Sequence, residues 1–157
     1  MPPGPEILTL ENFAEQHLDA LLTATSKSAF DAALDALLAP TAKIVLNGAS
    51  VSRAAYGAYL WKAQAHERSA TVAFKGVVAV PKDSKAIVQT GEVGVFFVAT
   101  ISQPPLLFSE IVTASLNLVV EEVKDQHAGA DVSGRRAVSL TQVSTERPSN
   151  FTPIGGQ

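Results

Sequence analysis

Three ionisable side chains each lie within an otherwise apolar stretch, which is the kind of environment that suits a catalytic acid or base. His17 lies beside phenylalanine and leucine at helical spacing, and a neutral imidazole there could accept or donate a proton. Glu92 and Glu110 each interrupt an apolar, strand-like stretch, and burial raises the pKa of a carboxylate toward the catalytic range. The predicted catalytic set is therefore His17, Glu92 and Glu110. The ordinary alternative is a histidine at the edge of a core and two glutamates on the wet face of a sheet.

A second set of side chains has the types that line a small-molecule pocket. Aromatic rings and amides supply apolar area with a few polar contacts. The predicted ligand-binding residues are Asn47, Tyr56, Tyr59, Trp61, Phe96 and Asn117. Five of them have a structural alternative, which is aromatic core for the rings of the third helix, turn chemistry for Asn47, and a wet dimer interface for Asn117.

Metal and cofactor chemistry has little support in the sequence. There is no cysteine, and His17, His66 and His127 stand far apart without a ligand-like spacing. Glycine-rich phosphate loops and nucleophile turns are also missing from the sequence. We therefore predict no metal and no cofactor.

Composition predicts one folded domain in a soluble, cytoplasmic protein. The 157 residues are 46% hydrophobic and 17% charged, which is enough apolar area for a single core. The net charge of −3, without a basic cluster, gives neither nucleic acid nor an anionic membrane an electrostatic partner. The first residues lack the basic and apolar regions of a secretory leader.

The first half of the chain has helical periodicity, which would carry His17 and the aromatic residues. Apolar residues recur at three- and four-residue intervals, with cap residues at Thr9, at 25–28 and at Ser52. Pro40 prevents the second helix from continuing. Between the second and third helices we predict a short strand followed by an Asn47-Gly48 turn. The predicted helices span about 10–24, 30–38 and 53–66.

In the second half the period changes to two, which predicts a sheet that would carry both glutamates. Short links between the strands favour an antiparallel meander. The strands are long enough to require bending, and Gly91 and Gly94 are the predicted bend or bulge positions. The predicted strands span about 70–80, 86–101, 108–123 and 137–145.

This order of elements resembles the nuclear transport factor 2-like superfamily, which includes SnoaL-like and ketosteroid isomerase-like domains. The residues that carry the resemblance are the strand 42–46, Asn47-Gly48, Val51-Ser52-Arg53 and the helix with Tyr56 and Leu60. The resemblance implies an α+β fold in which three N-terminal helices pack on a strongly bent antiparallel sheet and form a cone. It also implies an interior pocket and, commonly, a homodimer through the outer face of the sheet.

The resemblance also exposes a departure from the enzymes of that superfamily. Isomerases and cyclases often carry a general-base carboxylate at the end of the first short strand, and the corresponding residue here is Asn47. An amide does not accept a proton at neutral pH, so this residue counts against the isomerase mechanism.

Two functional hypotheses remain open for a single domain at 8–146, with flexible termini at 1–7 and 147–157. The first is a homodimeric pocket protein for a small apolar molecule, acting as an isomerase, dehydratase or cyclase by acid/base chemistry. The second is a non-catalytic dimeric binding or scaffold module, which would use its sheet face or the apolar tip at 104–108. An enclosed cavity shared by His17 and a glutamate would distinguish the first from the second.

Overall fold

A computed structural model describes residues 8–61, 69–102, 110–123 and 134–148 of the chain. These residues form three α-helices and one six-stranded sheet, which confirms the predicted α+β class. Expectations about His66, His127 and the tip at 104–108 lie outside the described residues.

The helices begin at residues whose side chains satisfy free backbone donors. In each case a hydroxyl oxygen accepts a hydrogen bond from the backbone N–H three residues later, at 3.2, 3.1 and 3.0 Å for Thr9, Ser26 and Ser52. Such N-caps stabilise a helix because its first N–H groups have no partner within the helix. The cap predictions are therefore confirmed. The helices are α1 (Leu10–Leu22), α2 (Lys27–Leu37) and α3 (Arg53–Trp61).

The strands form a single sheet in the order β2-β1-β6-β5-β4-β3. They are β1 (Leu38–Leu46), β2 (Ala49–Val51), β3 (Ser69–Pro81), β4 (Gly91–Ser102), β5 (Glu110–Glu122) and β6 (Arg135–Pro148). Strands β3 to β6 form the predicted antiparallel meander. Strand β6 continues past the predicted domain end at 146, because Arg147 and Pro148 still pair with β5.

The sheet is mixed rather than antiparallel throughout, because β1 pairs in parallel with β6. Strand β1 follows α2 directly, and its register against β6 shifts between Leu38 and Lys43. Pro40 falls inside this irregular stretch, where its missing N–H removes no ladder hydrogen bond. The pairing joins strands almost 100 residues apart in sequence, so local patterning could not reveal it.

Irregularities of the long strands occur at other positions than the glycine pattern suggested. The register between β3 and β4 shifts between Phe74 and Gly76, whereas β4 pairs with β5 without interruption through Gly94. The bulge predicted at Gly94 is therefore wrong. Gly91 is required for a different reason, since its φ is +148° and a Cβ there would lie 2.2 Å from the Val80 carbonyl oxygen.

All three helices cover one face of the sheet, which we call the inner face. Helix α1 packs on β3 and β4, while α2 and α3 pack on β1. Alternate residues of β4 and β5 are buried beneath the helices, which is the period-two pattern of a half-covered sheet. The opposite side is called the outer face. Within the described residues, no helix is long and apolar enough to cross a membrane.

Candidate functional site

The three predicted catalytic side chains do not form one site. Glu92 is exposed on the outer face, on the opposite side of the sheet from the helix that carries His17. Glu110 pairs with Ile101, nine residues along β4 from Glu92. At about 3.3 Å per residue the two glutamates are roughly 30 Å apart along the strands. Neither a paired carboxylate nor a His17–Glu92 dyad is therefore possible in this fold.

His17 and Glu110 occupy half-buried positions. The His17 ring packs on Phe13, with ring centroids 4.4 Å apart, at the edge of the apolar side of α1. Glu110 begins β5 at the end of the sheet where Ile101 and Pro148 are its neighbours across the strands. Histidine, aspartate and glutamate side chains in the described part of the chain form no group of three or more that could hold a metal ion.

Tyr56 is the most deeply buried of the predicted ligand-binding residues. Its hydroxyl donates a 2.6 Å hydrogen bond to Oε1 of Gln142, whose side chain points inward from β6 and is 1% exposed. Burial, with a smaller contribution from the nearby Tyr59 hydroxyl, raises the pKa of Tyr56 far above its usual value of about 10. Tyr56 is therefore a neutral, hydrogen-bonded core residue.

Tyr59 and Asn47 both bind Ser144, two residues further along β6. The Tyr59 and Ser144 hydroxyl oxygens are 2.8 Å apart, and the Ser144 N–H donates to Asn47 Oδ1 at 2.8 Å. The Asn47 N–H in turn donates to the Gln142 carbonyl oxygen at 2.8 Å. With φ of +50° and +85°, Asn47 and Gly48 form the predicted tight turn. Asn47 thus fastens the β1–β2 turn to β6.

Tyr59 also lines a very small interior cavity. Its volume is about 10 Å³, which is the space for about one water molecule. Most of its lining is apolar, and the two polar contributors are Tyr59 and Glu146. Trp61 lies elsewhere in the core, where its ring packs on Phe30 with centroids 5.1 Å apart. The cavity that Tyr59 lines is therefore too small for a ligand, whereas Trp61 borders a wider, open groove of about 690 Å³ between α2 and α3.

The remaining predicted residues, Phe96 and Asn117, lie together on the outer face. They border a concavity of about 430 Å³ that also involves Gly76, Gly94 and Ser115. The pairing register aligns this region into three rows that cross β3 to β6. The rows consist of residues 73, 76 and 78 of β3, 94, 96 and 98 of β4, 113, 115 and 117 of β5, and 141, 143 and 145 of β6, and none of them is charged. A nearby charged residue is Lys75, which is exposed at the register shift of β3.

Sequence reasoning missed the buried polar residues of β6. Gln142 and Ser144 alternate with Thr141 and Val143, so polarity alone does not say which pair points inward. At the start of the same strand Arg135 is fully buried and donates to the carbonyl oxygens of Leu8 and Gln89 at 2.9 and 3.0 Å. The role of these residues is revealed only by their contacts with residues distant in sequence, because no local sequence pattern distinguishes them.

Comparison with known proteins identifies the fold and nothing finer. No protein-family model and no curated protein sequence matches the chain. Among solved structures, nuclear transport factor 2 from Cryptosporidium parvum matches with a TM-score of 0.52 at 9% identity, over 87% of this chain and 92% of that one. A conserved protein from Planctomyces limnophilus gives a TM-score of 0.58 at 7% identity, covering 87% and 94%.

Mtr2 from Candida albicans is a third similar structure, with a TM-score of 0.55 at 14% identity over 90% of this chain and 96% of that one. Mtr2 is also known in a complex with the M domain of Mex67. The chain therefore has the nuclear transport factor 2-like fold, which confirms the resemblance seen in its order of elements. Because this fold serves unrelated functions, the function must be argued from the surfaces of the molecule.

Proposed function

We propose that this protein is a non-catalytic binding module that assembles into a homodimer through the outer face of its sheet. The observation that carries the proposal is the set of large apolar side chains exposed on the outer face, beside a Tyr59-lined interior cavity of only about 10 Å³. Pockets for small molecules usually have about 300–1,000 Å³. Mtr2, a protein of the same fold, is itself found in a protein complex.

The outer face exposes large apolar side chains that a solvated sheet face normally lacks. The exposed fractions are 66% for Val78, 64% for Val80, 45% for Phe96 and 60% for Val143. These residues come from three strands of the same face. Contiguous exposed apolar area on a folded protein typically indicates a surface that another molecule covers.

A second copy of this chain suits the outer face electrostatically. The chain contains 12 basic and 15 acidic residues, yet the three middle rows of this face contain neither kind. Two copies that each carry a net charge of −3 repel each other wherever acidic surfaces meet. The middle rows therefore bring no acidic side chain of one copy against an acidic side chain of the other, and the exposed charges of Lys75 and Glu92 lie beside these rows.

The size of the outer face also matches the requirement of a stable dimer. Strands β4 and β5 pair without a break from Gly91 to Ile101, so this paired stretch is about 35 Å long. Four strands at roughly 4.8 Å spacing add a width of about 19 Å. The resulting area of about 650 Å², before side-chain relief, is close to the roughly 800 Å² per partner of a standard interface.

Sedimentation velocity across a dilution series tests the proposal. We expect a dimer for the wild type and a folded monomer for Val143→Lys, which places a charge in the middle of the outer face. Ile87→Lys is the matched control, because Ile87 is 81% exposed, belongs to none of the strands and should leave the dimer intact. A monomeric wild type, or a Val143→Lys variant that is still dimeric, would contradict the proposal.

A small-molecule enzyme is the second candidate, and one observation favours it. Tyr59 and Glu146 line the same apolar cavity, and an acid/base site would need two such ionisable residues. Thermal stability with a panel of small apolar carbonyl compounds tests this candidate. A ligand-dependent rise in Tm that Ala99→Leu abolishes by filling the cavity would favour the enzyme, and its absence would leave the binding module.

A further inference from the structure

We infer that Phe96 of each copy determines the geometry of the dimer, because its ring enters a hollow over Gly76 and Gly94 of the other copy. This inference rests on the proposed sheet-face dimer and adds the residues that determine its geometry. The "glycine hollow" is the outer-face concavity of about 430 Å³, bordered by Gly76, Val78, Gly94, Ser115 and Asn117.

The fold itself does not require glycine at position 76, on the floor of the hollow. Neither Gly76 nor Gly94 has the positive φ that excludes other residues, unlike Gly91 in the same sheet. A Cβ on Gly76 would meet no atom within 4 Å, so a side chain would fit there in the isolated chain. Glycine in a strand interior weakens the strand and often marks a place where another molecule approaches closely.

Phe96 is the raised element beside this recess. It pairs directly with Gly76 across β3 and β4, where an aromatic ring commonly covers the bare glycine backbone. Here the ring does not cover Gly76, since no atom lies within 4 Å of the missing Cβ, and Phe96 stays 45% exposed. A large exposed ring and an empty recess therefore lie side by side.

This adjacency identifies the occupant as a second copy. In a two-fold dimer the same patch serves both partners, so residue i contacts j while j contacts i. A two-fold axis that runs parallel to the sheet, in the plane between the two copies and midway between Phe96 and the glycine hollow, places each ring over the other copy's recess. The contact is then made twice, and no charged side chain opposes another in the middle rows.

The decisive variant is Gly76→Val, which fills the hollow at a position where the isolated chain has room. The β-branched side chain suits a strand, so the monomer should stay folded. The added methyl groups should weaken the dimer by at least about ten-fold in Kd, because overfilled interfaces force side chains out of place. Gly94 is a poorer target, since its Cβ would lie only 3.1 Å from Asn117 Oδ1.

Ala73→Val is the matched control, since Ala73 lies on the same strand and face but does not border the hollow. We expect its dimer dissociation constant to stay within about three-fold of the wild type, which is less than 1 kcal/mol. If Gly76→Val and Ala73→Val weaken the dimer equally, Phe96 does not enter the glycine hollow, although the proposed sheet-face dimer is still supported. A monomeric wild type instead removes the proposed function itself.

Mixing two variants directly tests the contact between the Phe96 ring and the glycine hollow. Phe96→Ala lacks the ring but keeps the hollow, whereas Gly76→Val keeps the ring but fills the hollow. In the mixed dimer one ring still enters one open hollow, and the filled hollow faces the small Ala side chain. Native mass spectrometry should therefore show a larger share of mixed dimer than random pairing of the two variants produces. A statistical distribution, or a mixed dimer below both homodimers, would overturn the inference.

Discussion

Phe96 and Phe97 are neighbours in β4 and lie on opposite faces of one sheet. Phe97 is 1% exposed and packs edge-on against Phe74, with centroids 6.4 Å apart, whereas Phe96 is 45% exposed on the outer face. Helices, aromatic rings and buried hydrogen bonds fill the inner face. The outer face leaves Phe96 and its apolar neighbours exposed, and this is the surface that the proposed dimer would cover.

The pair of phenylalanines gives the largest expected effect. In the monomeric Val143→Lys background, Phe97→Ala should lower the free energy of unfolding by about 3–5 kcal/mol, since it enlarges a cavity in a packed core. Phe96→Ala in the same background should change it by less than about 0.5 kcal/mol, as exposed substitutions do. Urea unfolding measures both values.

The monomeric background matters because dimerisation itself adds to apparent stability. If the two substitutions cost the same amount in that background, the assignment of Phe96 and Phe97 to opposite faces fails. In the wild-type background we expect the opposite order for the effect on dimer affinity, and Phe96→Ala should be the variant that weakens the dimer.

The buried hydrogen bond of Tyr56 tests whether the inner face is structural. Tyr56→Phe should cost about 1–3 kcal/mol, because it leaves Oε1 of Gln142 buried without its donor. Gln142→Leu alone leaves the buried Tyr56 hydroxyl without its acceptor and should lower the free energy of unfolding by a similar amount. The double variant replaces both partners by apolar groups and should be nearer to the wild type than either single variant. Simple additivity in the urea-unfolding cycle would mean that the two side chains act independently.

Alkaline pH tests the same contact without a change of shape. The native pKa of Tyr56 is raised, so above pH 10 the unfolded chain loses this proton while the native protein keeps it. Stability due to Tyr56 is thus fully present below pH 10 and falls by about 1.4 kcal/mol per pH unit above it. Urea unfolding from pH 9 upward should show a steeper decline for the wild type than for Tyr56→Phe. Parallel curves would contradict the burial of this hydroxyl.

Local features of the sequence were sufficient to predict much of the fold. Hydroxyl caps at Thr9 and Ser52, the stop at Pro40 and the Asn47-Gly48 turn depend on neighbouring residues, and sequence patterns record such relations. The parallel pairing of β1 with β6 depends on residues almost 100 positions apart, which no local pattern contains.

The candidate site was harder to predict because strand phase decides which side chains meet. Glu92 interrupts apolar residues on both of its neighbouring positions, so the sequence alone did not show that it points away from the helices. The register shift beside Gly76 adds to the difficulty, since one bulge reverses the facing of every later residue. Tyr56 and Gln142 are 86 positions apart, and only the folded chain brings them together.

Asn47 gives the smallest expected effect and the clearest contrast between a structural and a catalytic role. Asn47→Gly keeps the positive φ but removes the acceptor of the Ser144 N–H, and should cost about 1 kcal/mol. Asn47→Asp supplies an equivalent oxygen and tolerates the same backbone conformation, so its stability should stay within about 0.5 kcal/mol of the wild type. Thermal unfolding of both variants measures the difference. A large loss of stability in Asn47→Asp would mean that the amide nitrogen, rather than the acceptor oxygen, holds the turn against β6.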